Sequence, residues 1–269
     1  MKKDYIPVSA DQACSDESTF IEDFWTQRWD GVRHLPEPEA VSRTEVYGIM
    51  QLFVRSLPAG SRILDGGCGM GAWTVFLANQ GFDVVGLDIS QRTIARLNEL
   101  LPSYQFLVGD IRETEFADAS FDAYFSWGTF EHFEDGLGKC FGEARRILKR
   151  GGYLFLSVPF QNRRHLRRDK RELRLWDENY DKQRGYASEM RFYQWRLTKS
   201  EFQREFEING FKALRVEAIN KWQGLHRAVT HDLHIDPGSR FHRILQVFLY
   251  PLVPKDYVAH MIMGIGQRI

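Results

Sequence analysis

The chain has 269 residues, 43% hydrophobic and 27% charged, with a formal net charge of +0. That is an ordinary globular balance in a length that holds one α/β domain with additions, or two small domains at most. A neutral chain has no global field to gather nucleic acid or an anionic membrane, and three dispersed cysteines (Cys14, Cys68 and Cys140) argue against a disulfide framework and for a reducing cytoplasm.

The opening Met1-Lys2-Lys3-Asp4 leads into no apolar signal-peptide core, so a cytoplasmic location is expected. Residues 1 to 36 are polar with embedded aromatics. Phe20, Phe24, Trp25 and Trp29 recur at helical spacing, either as a lid over a ligand or as a helix packed on the core. Pro36 and Pro38 break the chain, and a helix is predicted from Glu39 to Leu57 with Val46, Ile49, Met50, Phe53 and Val54 on one face. Strands are predicted at Arg62–Asp65, Asp83–Leu87, Gln105–Val108, Ala123–Ser126 and Tyr153–Val158. Between them lie helices ended by Gly81, capped by Ser90 and stopped by Pro102, and one over Gly136–Lys149. Alternating strands and helices predict a parallel sheet wound on both faces, in which ligands sit at the C-terminal strand ends. Asp65, Asp88, Asp110 and Ser126 all fall at such ends.

After Phe160 the alternation breaks. Gln161 to Glu189 carries Arg163, Arg164, Arg167, Arg168, Lys170, Arg171 and Arg174, which make either a basic lid for an anionic substrate or a solvated helix balanced by Asp169, Glu172, Asp177 and Glu178. The cluster Phe192-Tyr193-Gln194-Trp195-Arg196 follows. Thr198 and Glu201 then form a capping box before a helix ended by Gly210, and Phe211–Ile219 reads as a strand. A second insertion, Asn220 to Lys255, holds Trp222, His226, His231 and His234. With no third ligand beside His231 and His234, no metal site is expected. Arg240 to Val253 reads as a basic, then apolar, helix that closes the pocket, pairs two subunits as a homodimer, or lies on a membrane surface. Its apolar run is interrupted by Gln246 and Pro251 and is too short to span a bilayer. Tyr257 to Gly266 is the last predicted strand.

The most informative stretch is Ile63-Leu64-Asp65-Gly66-Gly67-Cys68-Gly69-Met70-Gly71-Ala72-Trp73, a strand, a glycine turn and a helix start. Gly lets a ligand approach the backbone, and a helix start offers free N–H groups. Gly67, Gly69 and Ala72 fit the dinucleotide pattern. Asp65, however, would repel a pyrophosphate, and no Lys or Arg lies between Asp65 and Asp88 to neutralise one. A ligand with an ammonium group and no phosphate suits the turn better, and S-adenosylmethionine is such a ligand.

With three further segments, Val84–Asp88, Phe106–Ile111 and Phe121–Gly128, the chain resembles the class I S-adenosylmethionine-dependent methyltransferases in their small-molecule branch. The resemblance covers Leu57 to Phe160 and resumes at Phe192–Ile219 and Tyr257–Arg268. It implies a Rossmann-like α/β three-layer sandwich: a seven-stranded, mostly parallel sheet with an antiparallel last strand. The expected organisation is a single domain over 1–269, with a cap at 1–36 and insertions 161–191 and 220–255 as a substrate lid. The resemblance places Asp65, Gly67, Cys68, Gly69 and Gly71 at the methionine part of the cofactor. Asp88 and Ile89 fall at the ribose, Asp110 and Ile111 at the adenine, and Ser126 and Trp127 beside the transferred methyl. Asp88 lies about 21 residues after Gly67, near the spacing expected of a ribose-binding acid. Arg43 would reach the cofactor carboxylate or stay solvated.

Such chemistry asks the protein to align the acceptor, exclude water and remove a proton. Glu131 and His132 are the candidates for the last task, His132 as base or as a wall of the pocket. Segment Ser126-Trp127-Gly128-Thr129 lacks the Asn/Asp-Pro-Pro-aromatic motif of nucleobase amine methylation. The chain also lacks the Pro-Cys nucleophile of cytosine-C5 enzymes, so nucleic acid is not an expected partner. The expectation is methylation of an O or N atom on a small-molecule acceptor (a sugar, a lipid-linked intermediate or a secondary metabolite), an anionic one where the basic insertion acts as a lid. A catalytically silent S-adenosylmethionine-binding protein and an NAD-dependent oxidoreductase are the alternatives left open.

Overall fold

Five strands of apolar residues, each flanked by helix-forming sequence, build the centre of the molecule. In the computed structural model, which describes residues 1–32, 37–175 and 189–269, these are β2 (Arg62–Gly66), β3 (Asp83–Asp88), β4 (Gln105–Val108), β5 (Phe121–Trp127) and β6 (Leu148–Pro159). With β8 (Phe211–Ile219) and β9 (Met261–Arg268) they form one seven-stranded sheet of order β4-β3-β2-β5-β6-β9-β8. Pairings among β2 to β6 are parallel, and β9 runs antiparallel to both β6 and β8. The Rossmann-like sheet with an antiparallel last strand is therefore present as expected. The chain leaves β2 in one direction through β3 and β4 and returns on the other side at β5, so the order reverses between β2 and β5, where a crevice opens.

Side chains alternate across the sheet, and both faces are covered. Leu64, Val85, Tyr124 and Leu154 point into one core with Phe141 and Phe206 from α6 (Gly138–Ile147) and α8 (Lys199–Ile208). Ile63, Phe125, Phe155 and Met263 point into the other, with Met50 from α3 (Glu45–Val54) and Leu77 from α4 (Ala72–Asn79). Phe125 and Phe155 stack with centroids 4.4 Å apart. Helix α5 (Gln91–Leu100) seats Ile94 and Leu97 against Val75 and Phe106.

Several expected boundaries moved for local reasons. The helix predicted from Glu39 is a 3-10 segment, Pro38–Arg43, followed by α3, because the Thr44 hydroxyl accepts the Tyr47 N–H and starts a new helix. The last strand starts at Met261, since Lys255–Val258 form a helical turn. β1 (Lys2–Val8) was not foreseen. It pairs antiparallel with β7 (Glu189–Arg196) in a separate ribbon. From it the chain enters α1 (Ala10–Cys14) and α2 (Glu17–Asp30). α7 (Arg163–Leu175) follows β6, and α9 (Lys221–Asp232) and α10 (Arg240–Leu252) follow β8. The expected break at Pro36 and stretch 176–188 of the first insertion lie outside the described residues, as do the side chains of Arg171, Glu172 and Arg174. Among the described residues no helix is long and apolar enough to cross a membrane.

Candidate active site

The site is assembled at the C-terminal ends of β2, β3, β4 and β5. β2 ends in Asp65 and Gly66, and the chain turns through Gly67, whose φ is +75°. An added Cβ at Gly67 would stand 2.2 Å from the Thr129 hydroxyl, so both conformation and space require glycine here. The turn is pinned from below, as the Gly67 and Cys68 N–H groups donate to the Leu87 carbonyl at 2.7 and 3.0 Å.

The carboxylates differ in surroundings. Asp65 is buried beneath the turn and accepts the Thr74 hydroxyl at 2.7 Å. Burial raises its pKa to about 7 despite that bond. Asp88 accepts the Gly69 N–H at 2.9 Å on one oxygen and the Ser90 N–H at 3.0 Å on the other, and burial still raises its pKa. Asp110 is gripped by Arg112, with Nε 3.0 Å and Nη2 2.7 Å from one carboxylate oxygen. Arg112 also binds Glu17 and Ser18 and lies 4.2 Å from the centre of the Phe133 ring. One guanidinium thus fastens α2 to the end of β4.

The N-terminal aromatics of α2 fall into two groups. Phe20 and Ile21 are buried in the main core, while Trp25 and Trp29 stack at 5.6 Å over the site. They roof a cavity of about 150 Å³ whose walls include Gly67, Asp88, Ile89, Asp110, Ile111, Trp127 and His132. Of the other expected site residues, Asp65, Cys68, Gly69, Gly71, Ser126 and Glu131 are not among those lining it. Ser126 donates to the Gly66 carbonyl at 2.8 Å. Burial pushes the Cys68 thiol up, which keeps it protonated. Thr129, Gly128 and Phe133 also line the cavity, although the sequence did not single them out. Arg43 is exposed and lines neither cavity described here.

Trp127 separates this cavity from a second, more open one of about 360 Å³, bordered by Trp73, Ser157, Asn220, Gln223 and His260. Near the partition, His132 Nδ1 donates to the Tyr193 carbonyl at 2.7 Å, since a carbonyl can only accept. Its Nε2 is 3.9 Å from Glu131 Oε1. Burial lowers His132 to about 4 and raises Glu131 to about 8, so at neutral pH both are uncharged. Glu131 Oε2 and Trp127 Nε1 are buried without a hydrogen-bond partner among the described residues. The Tyr193 ring stands 5.2 Å from His132, while Trp195 donates to the Phe133 carbonyl at 3.0 Å.

Two arginines of the basic insertion serve as fastenings. Arg164, buried, pairs with Asp232 of α9, and Arg167 lies 5.1 Å from the Tyr257 ring centre. By contrast, Arg227 of α9 has no carboxylate partner among the described residues. Arg227 and Arg28 both lie within electrostatic reach of the Tyr193 hydroxyl. His231 and His234 are exposed. Among the described residues no group of three or more His, Cys, Asp or Glu stands together as a metal would need.

Residues 64–156 match a family model described as a methyltransferase domain. A relative from Synechocystis sp., 2-methyl-6-phytyl-1,4-hydroquinone methyltransferase, is 36% identical over 106 residues, which is 38% of this chain and 33% of that protein. The chain thus spans about a third of that relative's length. The whole fold is similar to the PH0226 protein of Pyrococcus horikoshii, with TM-score 0.55 and 19% identity over 90% of this chain and 99% of that one. It is also similar to phosphoethanolamine N-methyltransferase 2 of Haemonchus contortus in complex with S-adenosyl-L-methionine, with TM-score 0.54 and 19% identity over 93% of this chain and 57% of that one.

Proposed function

We propose that this chain, which carries a class I S-adenosylmethionine-dependent methyltransferase domain, moves the methyl group of S-adenosylmethionine to an O or N atom of a small acceptor bearing an anionic group. One observation carries the cofactor side. Among the described residues, the walls of the roofed cavity hold two carboxylates, Asp88 and Asp110, and neither a lysine nor an arginine. A pyrophosphate would meet no cation there, whereas a nucleoside joined to a cationic amino acid meets acids and bare backbone.

The residues present fit that cofactor. Asp88 uses one lone pair on each oxygen for the turn and keeps others for ribose hydroxyls. Ile89, Ile111 and the paired indoles give apolar faces for a base, and Gly67 allows close approach of the backbone. Asp65, Cys68, Gly69, Gly71 and Ser126 support the turn from behind. When bound, the cofactor would supply a methyl group already activated for transfer by its sulfonium.

The chain's own tasks are to position, dry and deprotonate. Trp25 and Trp29 exclude water, and Trp127 partitions cofactor from acceptor. His132 has a neutral imidazole whose Nε2 is free to accept a proton, and Glu131 presents an unpartnered oxygen nearby. Arg227 and Arg28 supply the charge that an anionic acceptor needs. The cap at 1–36 and the two insertions act on this reading as a lid within a single domain.

Calorimetry with S-adenosylhomocysteine tests the cofactor side. Asp88→Ala is expected to weaken binding by on the order of 2 kcal/mol, about thirty-fold. Unchanged affinity, or preference for NAD, would refute the assignment. Transfer of labelled methyl from S-adenosylmethionine to a small-molecule fraction, and not to nucleic acid, tests the acceptor side.

A further inference from the structure

α10 carries apolar residues on both sides. Its inward side mixes Leu245, Leu249 and Val253 with two polar side chains: buried His242 has Nε2 3.0 Å from the Thr230 hydroxyl, and buried Gln246 donates to the Trp222 carbonyl at 2.8 Å. A second apolar set looks outward. Phe241, Ile244, Phe248 and Leu252 are 61%, 64%, 64% and 63% exposed. At about 100° per residue, these four with Val247 and Pro251 fall within one arc of about 140°, which Arg240 shares at the helix start. Packing inside the chain does not account for that arc, because α10 meets α9 through Leu245, Leu249 and Val253 on its other side. A contiguous apolar face of this kind on a folded chain marks a contact surface.

Charge selects what covers it. From Arg240 to Pro254 there is no Asp or Glu, and Arg240, at the start of the apolar arc, and Arg243, at its edge, are exposed. At the same edge as Arg243, Lys221 stands 4.5 Å from the centre of the Tyr250 ring, which in turn lies 5.7 Å from Trp222. Trp, Tyr and Lys at the rim of an apolar stripe suit the headgroup level of a bilayer. A second copy seated on the same face would bring two more arginines and no carboxylate from the helix to receive them. An anionic lipid surface offers both halves of the match, hydrocarbon for the stripe and headgroup oxygens for the arginines.

We infer that α10 seats the protein on an anionic lipid surface, with Phe241, Ile244, Phe248 and Leu252 entering the boundary between headgroups and acyl chains. This goes beyond the methyl-transfer reading and does not depend on it. α9, which carries α10, also borders the second cavity through Gln223, so that cavity would open close to the lipid.

Co-sedimentation of the full chain with phosphatidylcholine vesicles, with and without phosphatidylglycerol, tests the inference. Binding is expected on the phosphatidylglycerol vesicles and to fall as salt rises. Phe248→Glu and Ile244→Glu should each weaken it by at least about ten-fold. Arg240→Gln and Arg243→Gln should each weaken it by about five-fold on the anionic vesicles alone. All four positions are exposed, so unchanged thermal unfolding and unchanged S-adenosylhomocysteine binding would show that the variants fold. The inference is overturned if the chain stays in the supernatant at low salt, or if Phe248→Glu sediments like the parent. It is also overturned if light scattering shows a dimer that Phe248→Glu dissolves while neither protein binds vesicles, for then the face joins two copies.

Discussion

Glu131 gives the sharpest test of the site's electrostatics. Its carboxyl is 2% exposed, one oxygen lacks a hydrogen-bond partner among the described residues, and burial raises its pKa from 4.5 to about 8. The sign follows from linkage. Below about pH 4.5 the group is protonated in the folded and the unfolded chain, and it costs nothing. Between there and about pH 8 the unfolded chain ionises and the folded one does not, so stability falls as pH rises. Above about pH 8 both ionise and the full cost remains. The interval from 4.5 to about 8 corresponds to about 5 kcal/mol at about 1.36 kcal/mol per pH unit. Local relaxation and water entry bring the measurable figure down to a few kcal/mol. Glu131→Gln keeps the shape and removes the titration. Urea unfolding, followed by circular dichroism in steps from about pH 4 to about pH 9, should show the variant and parent converging at the acid end. The variant should become progressively more stable than the parent toward the alkaline end. Asp65, raised to about 7, titrates in both proteins and cancels in the difference. A stability difference that stays constant across the range would show that Glu131 is already ionised when folded, and the reasoning would fail.

Two further substitutions probe the turn and the acceptor side. Gly67→Ala combines a left-handed backbone with a Cβ 2.2 Å from the Thr129 hydroxyl, and should cost about 3 kcal/mol in thermal unfolding. Thr129→Ala in the same chain should recover the steric share and leave the backbone share, which a double-mutant cycle resolves. Arg227→Gln should raise KM for a phosphorylated or carboxylated acceptor by about ten-fold, with kcat little changed and neutral acceptors unaffected. Equal loss on charged and neutral acceptors would place Arg227 in a structural role.

What could be read without coordinates was local. Asp65, Asp88 and Asp110 announce themselves as acids ending apolar strands, and each sits at the end expected of it because strand and turn propensities are set by neighbouring residues. What could not be read was long-range pairing. Nothing in Lys2–Val8 says that its partner is Glu189–Arg196. The register depends on a ribbon closed only when the rest has folded. Arg112 is the same case, since its partner Asp110 is two residues away but Glu17 lies 95 positions upstream. The arginines after Phe160 show the converse failure. Composition gives their charge and not the carboxylate each faces, so Arg164 and Arg227 look alike in sequence, yet one is neutralised by Asp232 and the other stands beside Tyr193.

The β1–β7 ribbon has a consequence for assembly order. Gln194 and Asp4 meet although they stand 190 positions apart, and closing so wide a circle is entropically slow compared with winding adjacent strands and helices. The tryptophans of α2 should therefore settle over the crevice late, after the sheet has already matured. A nascent molecule would pass through a stage with its crevice uncovered, until Arg112 ties α2 to the end of β4.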